Sequence, residues 1–248
     1  MSDPQVVVRN WRDSSPKAGH DSAIIWTMLR RASKTSEEPW ACMEHISGFV
    51  LHTVQGGMSS NLHQHDEQEQ FYFVVSGRGE AEIGGERYPM RDGAIAYLPP
   101  AVPHRFTAAA DEDRVEYLVV SCPVEREGSA ARVVNWRDVV PTAGGHGDAV
   151  IWHLLEAVDE TEPDTEQPCL LGFRYVTQQA LVLGKASDRH QHDDKEQIYF
   201  VAEGHGTLVA GEDMRAIRQG DAVYLPRGVP HQILNQAYDG WLTYLIVS

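Results

Sequence analysis

His63-Gln64-His65-Asp66-Glu67-Gln68-Glu69 returns 127 residues later as His190-Gln191-His192-Asp193-Asp194-Lys195-Glu196. A further histidine follows each stretch at the same separation, His104 and His231, each after a proline. On an extended chain side chains two apart share a face, so His63 and His65 converge while Gln64 turns away. Two imidazoles, a carboxylate from the next strand and a third imidazole from a distant one form a donor set for a first-row transition metal. The expected ligands are His63, His65, Glu69 and His104 in one half and His190, His192, Glu196 and His231 in the other.

The repeat extends well beyond these residues. Asn10-Trp11-Arg12-Asp13 matches Asn135-Trp136-Arg137-Asp138, Ile24-Ile25-Trp26 matches Val150-Ile151-Trp152, and Tyr97-Leu98-Pro99 matches Tyr224-Leu225-Pro226. Tyr117 to Ser121 likewise matches Tyr244 to Ser248. Each copy has the size of an independently cored unit. The expected division is residues 1–122, a polar small-residue linker at 123–131, and residues 132–248.

Short runs rich in Val, Ile, Tyr and Phe, punctuated by Gly, Pro and Asp, indicate an all-β chain. In the first copy strands are expected near Val6 to Arg9, Ile24 to Leu29, Phe49 to Val54, Gln70 to Val75, Glu80 to Ile83, Ile95 to Leu98, His104 to Thr107 and Val115 to Val120. Gly84-Gly85 and Gly211-Glu212 read as hairpin turns. With Glu69 at the start of its strand, Phe71 and Phe73 are expected to line an apolar pocket wall above the metal, and Ile198 and Phe200 to repeat this beside Glu196.

Thirty-six acidic against twenty-one basic residues give a formal charge of −15, unsuited to nucleic acid or an anionic membrane surface. No apolar run approaches the roughly 20 residues that cross a bilayer, and the first residues lack an export signal's pattern, so a cytoplasmic location is expected. The odd set of cysteines implies no disulfide framework, and Cys42 and Cys169, at equivalent positions, read as small apolar residues. The acidic runs Asp111 to Asp113 and Asp159 to Glu162 read as loop surface.

Histidines without a counterpart, His45, His52, His153 and His205, read as ordinary surface or core residues. His20 and His146 do correspond; they are read as loop histidines, with a place behind a ligand as the alternative. The matched tryptophans read as packing anchors. Trp40 lies in a polar segment that could fold over a pocket mouth.

The motifs resemble those of the cupin superfamily, and among them the two-domain bicupins. The first family motif is met by Gly57, His63, His65, Glu69 and Gly77 and by Gly184, His190, His192, Glu196 and Gly204. The interval from Glu to the last Gly is one residue longer than the usual form. The second motif is met by Gly220, Pro226, Gly228, His231 and Asn235; in the first copy Gly93, Pro99 and His104 match, while Ala101 and Ala108 replace Gly and Asn. The resemblance implies two tandem jelly-roll β-barrels, each holding Mn, Fe, Co, Ni, Cu or Zn on three imidazoles and one carboxylate, with open coordination positions.

The pocket of the second copy is the expected catalytic one, because Asp188 before the first ligand and Asn235 after the last could bond substrate or move a proton. The leading expectation is a metal-dependent oxidoreductase, a dioxygenase acting on a small oxygen-rich or aromatic molecule. A redox-neutral isomerase, lyase or decarboxylase, and a non-catalytic small-ligand binder, are the alternatives. Exposed sheet edges also suit association into a homodimer or larger oligomer.

Overall fold

A computed structural model describes residues 5–126, 128–159, 165, 167–236 and 240–248. The opening residues 1–4, Glu127 of the linker and residues 160–162 of the second acidic run lie outside the described residues. Among those described, helical structure is limited to two single 3-10 turns, Trp11–Asp13 and Trp136–Asp138. None forms a helix long and apolar enough to cross a membrane.

Each half is two facing sheets. In the first, the large sheet runs Arg132–Asn135, Ala94–Leu98, Gln68–Ser76, Arg114–Pro123, Gly48–Gln55, Ala23–Arg31 and Lys17–Gly19. Opposite it lie His104–Ala108, Arg78–Ile83 and Glu86–Arg91. The second half repeats the plan, with Val7–Asn10, Asp221–Leu225, Gln197–Glu203, Leu242–Val247, Tyr175–Leu181, Val150–Glu156 and Thr142–Ala143 facing a sheet of Asp213–Arg218, His205–Ala210 and His231–Leu234. This is the double jelly roll that the resemblance implied. Every strand expected in the first half is present, and Glu86–Arg91 joins them because Gly84 and Gly85, both at positive φ, close a tight hairpin.

The first strand of each half completes the sheet of the other. Val7–Asn10 pairs with Asp221–Leu225, and Arg132–Asn135 pairs with Ala94–Leu98. The repeated Asn-Trp-Arg-Asp sequence fastens this exchange. Asn10 Nδ2 donates to Asp221 Oδ1 at 2.7 Å, Asn135 Nδ2 donates to the Asp92 carbonyl at 2.9 Å, and each Asn side chain also caps the 3-10 turn that follows it. Trp11 lies on Gly220 and Trp136 on Gly93, where a Cβ would come within 2.8 Å and 2.4 Å of the indole. The matched tryptophans also pair edge to face, Trp11 with Trp26 and Trp136 with Trp152. The spatial units therefore cross the sequence division at residues 123–131.

Three apolar clusters result. One fills each barrel, and the third joins them through Phe49, Phe71, Phe73, Phe173, Ile198 and Phe200. Both faces of the strand Gln68–Ser76 are therefore buried: Tyr72 and Val74 point into the barrel, Phe71 and Phe73 toward the other half. This reverses the expected facing of Phe71, Phe73, Ile198 and Phe200, which build the seam between halves rather than a pocket wall. Trp40 packs against the same seam under the Arg9 guanidinium, 3.8 Å from its ring centre, and not over a pocket mouth.

Candidate metal centres

The His-x-His segment of each half runs as extended chain beside the last-ligand strand, His63 opposite His104 and His190 opposite His231. Reciprocal backbone bonds of 2.7 to 3.1 Å lock both pairs in register. A turn after Pro99 and Pro226 holds the segment from below: Ala101 N–H donates to the His65 carbonyl and Gly228 N–H to the His192 carbonyl. Ala101 adopts the same left-handed conformation as Gly228, at φ 59° against 75°, so the replacement keeps the turn at a steric cost.

Two histidine triads follow, His63-His65-His104 and His190-His192-His231, with one ring nitrogen from each residue within 4.8 Å of the other two. In four of the six rings Nδ1 donates to the carbonyl two residues earlier: His63 to Asn61, His104 to Val102, His190 to Asp188 and His231 to Val229, at 2.8 to 3.0 Å. Such a bond fixes the tautomer and leaves Nε2 a lone pair. His104 Nε2 is buried without a hydrogen-bond partner, as expected of an atom shaped for a cation. Burial pushes His104 and His231 down to about 4 and, with Lys195, His192 to about 4, so these imidazoles stay neutral and available as donors at neutral pH. The residues present fit a divalent transition metal in each barrel.

Glu69 and Glu196 are not in these triads. Each points across the seam and is bonded by three successive backbone N–H groups of the other half. Glu69 accepts from Leu171, Gly172 and Phe173 at 2.6 to 2.8 Å and from the Tyr97 hydroxyl at 2.8 Å. Glu196 accepts from Glu44, His45 and Ile46 at 2.7 to 2.8 Å and bonds Tyr224. The next residue in each strand, Gln70 and Gln197, faces the cavity instead. The cause is strand parity: a shift of one residue moves a side chain to the opposite face. The long interval from Glu to Gly was the signal, because placing the motif's fourth position at Gln70 and Gln197 removes the extra residue.

The two cavities differ. The first, of about 230 Å³, is lined by His20, His52, His63, His65, Gln70 and Tyr72, among others. His20 stacks on His63 with ring centres 4.7 Å apart and bonds Asn61. His52, expected to be an ordinary residue, is buried against Tyr117 and beside His20, and burial lowers it to about 3. The second cavity, of about 480 Å³, adds Glu156, Tyr175, Asp188 and His153 to His190 and His192. His146 Nε2 lies 3.2 Å from His190 Nδ1 and His146 Nδ1 2.8 Å from Gln179 Oε1, so His20 and His146 both stand behind the first histidine of their triads rather than serving as simple loop residues.

Asp188 lines the second cavity as expected, with its carbonyl orienting His190. Asn235 is not among the residues lining it: it is buried, and its amide donates to the carbonyls of Leu181 and Gly240. The cysteines are buried or half-buried thiols, with desolvation pushing Cys42 and Cys169 up to about 12.

Two stretches, residues 50–121 and 179–245, match the family described as Cupin domain. Uncharacterized protein MJ1618 of Methanocaldococcus jannaschii is 31% identical over 65 residues, so the match spans 26% of this chain and 52% of that relative. L-ectoine synthase of Aliivibrio fischeri is 31% identical over 99 residues, 38% of this chain and 77% of that protein. Oxalate decarboxylase OxdC of Bacillus subtilis superposes with a TM-score of 0.70 at 13% identity over 97% of this chain and 76% of its own, a likeness of fold.

Proposed function

From the premise that the chain belongs to the cupin family, with one cupin domain in each half, we propose that it is a metal-dependent oxidoreductase of dioxygenase type, acting on a small oxygen-rich or aromatic molecule in its second barrel. The observation that carries the metal requirement is the pair of triads, each with backbone-fixed tautomers and donor nitrogens within 4.8 Å. A divalent metal bound there would supply Lewis acidity or electron transfer to oxygen at its open positions.

The chain's own residues account for the rest. The second cavity has about twice the volume of the first, 480 against 230 Å³, and carries the groups that can hold a proton beside a substrate. Asp188 is exposed at its mouth, and Glu156 sits deeper, 3.5 Å from His153 Nδ1. His146 Nδ1 donates to Gln179 Oε1, which turns the His146 Nε2 lone pair toward the His190 Nδ1–H, 3.2 Å away, and helps hold the His190 ring in place. Tyr175 donates no bond to the triad but receives one of 2.6 Å from Gln197, which fixes that amide toward the cavity. Those proton-holding groups also favour a second reading, a redox-neutral isomerase, lyase or decarboxylase.

The test begins with metal analysis of protein purified without a metal-affinity resin. Two metals per chain are expected, and one each in His104→Ala and His231→Ala. Oxygen-consumption screening of the loaded protein then separates the readings: turnover that stops without oxygen supports the oxygenase, and equal anaerobic turnover supports the redox-neutral reaction. Metal content at background in the wild-type protein would refute both.

A further inference from the structure

The first cavity has a lining without a carboxylate. Among the described residues around it are His20, His52, His63, His65 and Gln70, with serine and tyrosine hydroxyls and apolar side chains, but no Asp or Glu. The second cavity has Glu156 and Asp188. Glu69, one residue from Gln70, is committed to the other half by three backbone donors. Two acceptors of the first site, His104 Nε2 and Gln70 Oε1, are buried with no hydrogen-bond partner. Gln70 Nε2 meanwhile donates to Ser121 Oγ at 2.9 Å.

A divalent cation on such neutral donors keeps its full charge. In the usual three-imidazole, one-carboxylate set the protein cancels one unit; here it cancels none. A buried, uncompensated charge is costly, so the open positions favour an anion strongly over a neutral ligand. Resting on the metal reading proposed above, we infer that the first-barrel cavity is a binding site for a small carboxylate-bearing anion that chelates the metal through oxygen, with Gln70 supplying a neutral amide where a glutamate would oppose that anion. The volume of about 230 Å³ suits a small organic acid and is too small for a nucleotide-sized ligand.

The test uses the full chain with the second triad disabled by His190→Ala and His192→Ala, loaded with Co²⁺, whose visible spectrum reports both metal uptake and ligand exchange. Malonate is the anionic probe and malonamide its neutral isostere. Malonate is expected to shift the spectrum at concentrations at least about tenfold below malonamide, and Gln70→Glu to weaken malonate at least about tenfold while tightening Co²⁺, a change of about 1.4 kcal/mol. Equal binding of the two probes, or malonate affinity untouched by Gln70→Glu, would overturn the inference. Failure of the first-site protein to take up Co²⁺ shows before any probe is added and overturns the metal reading beneath it. Should the triad variant not fold, the same comparison runs in otherwise wild-type protein, where Gln70→Glu must reduce the malonate-dependent signal and an unchanged signal counts against the inference.

Discussion

Replacing Glu196 by Gln distinguishes a metal ligand from a clasp between halves. One carboxylate oxygen accepts the N–H groups of His45 and Ile46, both at 2.8 Å, and the other accepts Glu44 N–H at 2.7 Å. A hydrogen bond to a charged acceptor contributes about 1.5–3 kcal/mol, against about 0.5–1.5 kcal/mol for a neutral one. The carboxamide keeps one oxygen for two of the donors at neutral strength and turns an NH₂ toward the third. The two retained bonds lose about 1–1.5 kcal/mol each and the third its full 1.5–3, so the expected loss is about 3.5–6 kcal/mol, a large share of the roughly 5–15 kcal/mol that holds a domain together. Urea unfolding followed by tryptophan fluorescence measures it, since four indoles pack at the exchange and its seam. Metal titration of the same variant should give wild-type stoichiometry, because Glu196 faces away from His190, His192 and His231. A variant of unchanged stability that no longer binds metal in its second barrel would refute this account and return Glu196 to the ligand set.

Ala101→Gly should stabilise the protein by about 0.5–1 kcal/mol: relief of a left-handed alanine contributes about 1–2 kcal/mol, and the greater freedom of the unfolded glycine chain takes back about 0.4–1 kcal/mol. A lower urea midpoint in that variant would contradict the strain described at φ 59°. Metal-free protein should weaken in mild acid. His104 and His231 titrate at about 4 and His52 at about 3 in the fold against 6.5 ordinarily, so the unfolded chain takes up protons that the fold refuses. Stability is then full above about pH 6.5 and falls by up to about 1.4 kcal/mol per pH unit for each histidine as pH drops toward those values; urea midpoints that do not change between pH 7 and 5 would show the rings are not held neutral. Chelator treatment of metal-loaded protein should lower its melting temperature, and by less at pH 6 than at pH 8, since protons competing for the same imidazoles weaken the metal's hold at the lower pH. An equal midpoint with and without chelator would mean the triads contribute no metal-linked stability.

The duplicated motif made the architecture legible, because a repeat that includes turn glycines, strand residues and histidines constrains the whole chain at once. The six histidines came with it: their spacing places them on one side of an extended segment whatever the neighbouring strand does. The carboxylates did not. Alternation identifies a buried face only when the other is wet, and Gln68–Ser76 is buried on both, by its own barrel and by the other half. Glu69 and Gln70 are both buried polar residues, so polarity could not choose between them. His52 and Gln179 occupy matching strand positions yet differ in chemistry, which is why a comparison of repeats passed over His52 as a cavity residue. The exchange of first strands was likewise hidden, since pairing within or across halves demands the same alternation and the same Asn-Trp-Arg-Asp turn.

That exchange sets an order of events during synthesis. Asn10 and Asp221, which bond in the finished protein, are 211 residues apart, so the strand Val7–Asn10 waits for a partner made 211 residues after it. At about 5–20 residues per second the delay is on the order of 10–40 s. Through that interval Val7–Asn10 remains an unpaired ribbon, open to capture by the equivalent sheet of another nascent copy, which would convert an internal clasp into an entangled oligomer.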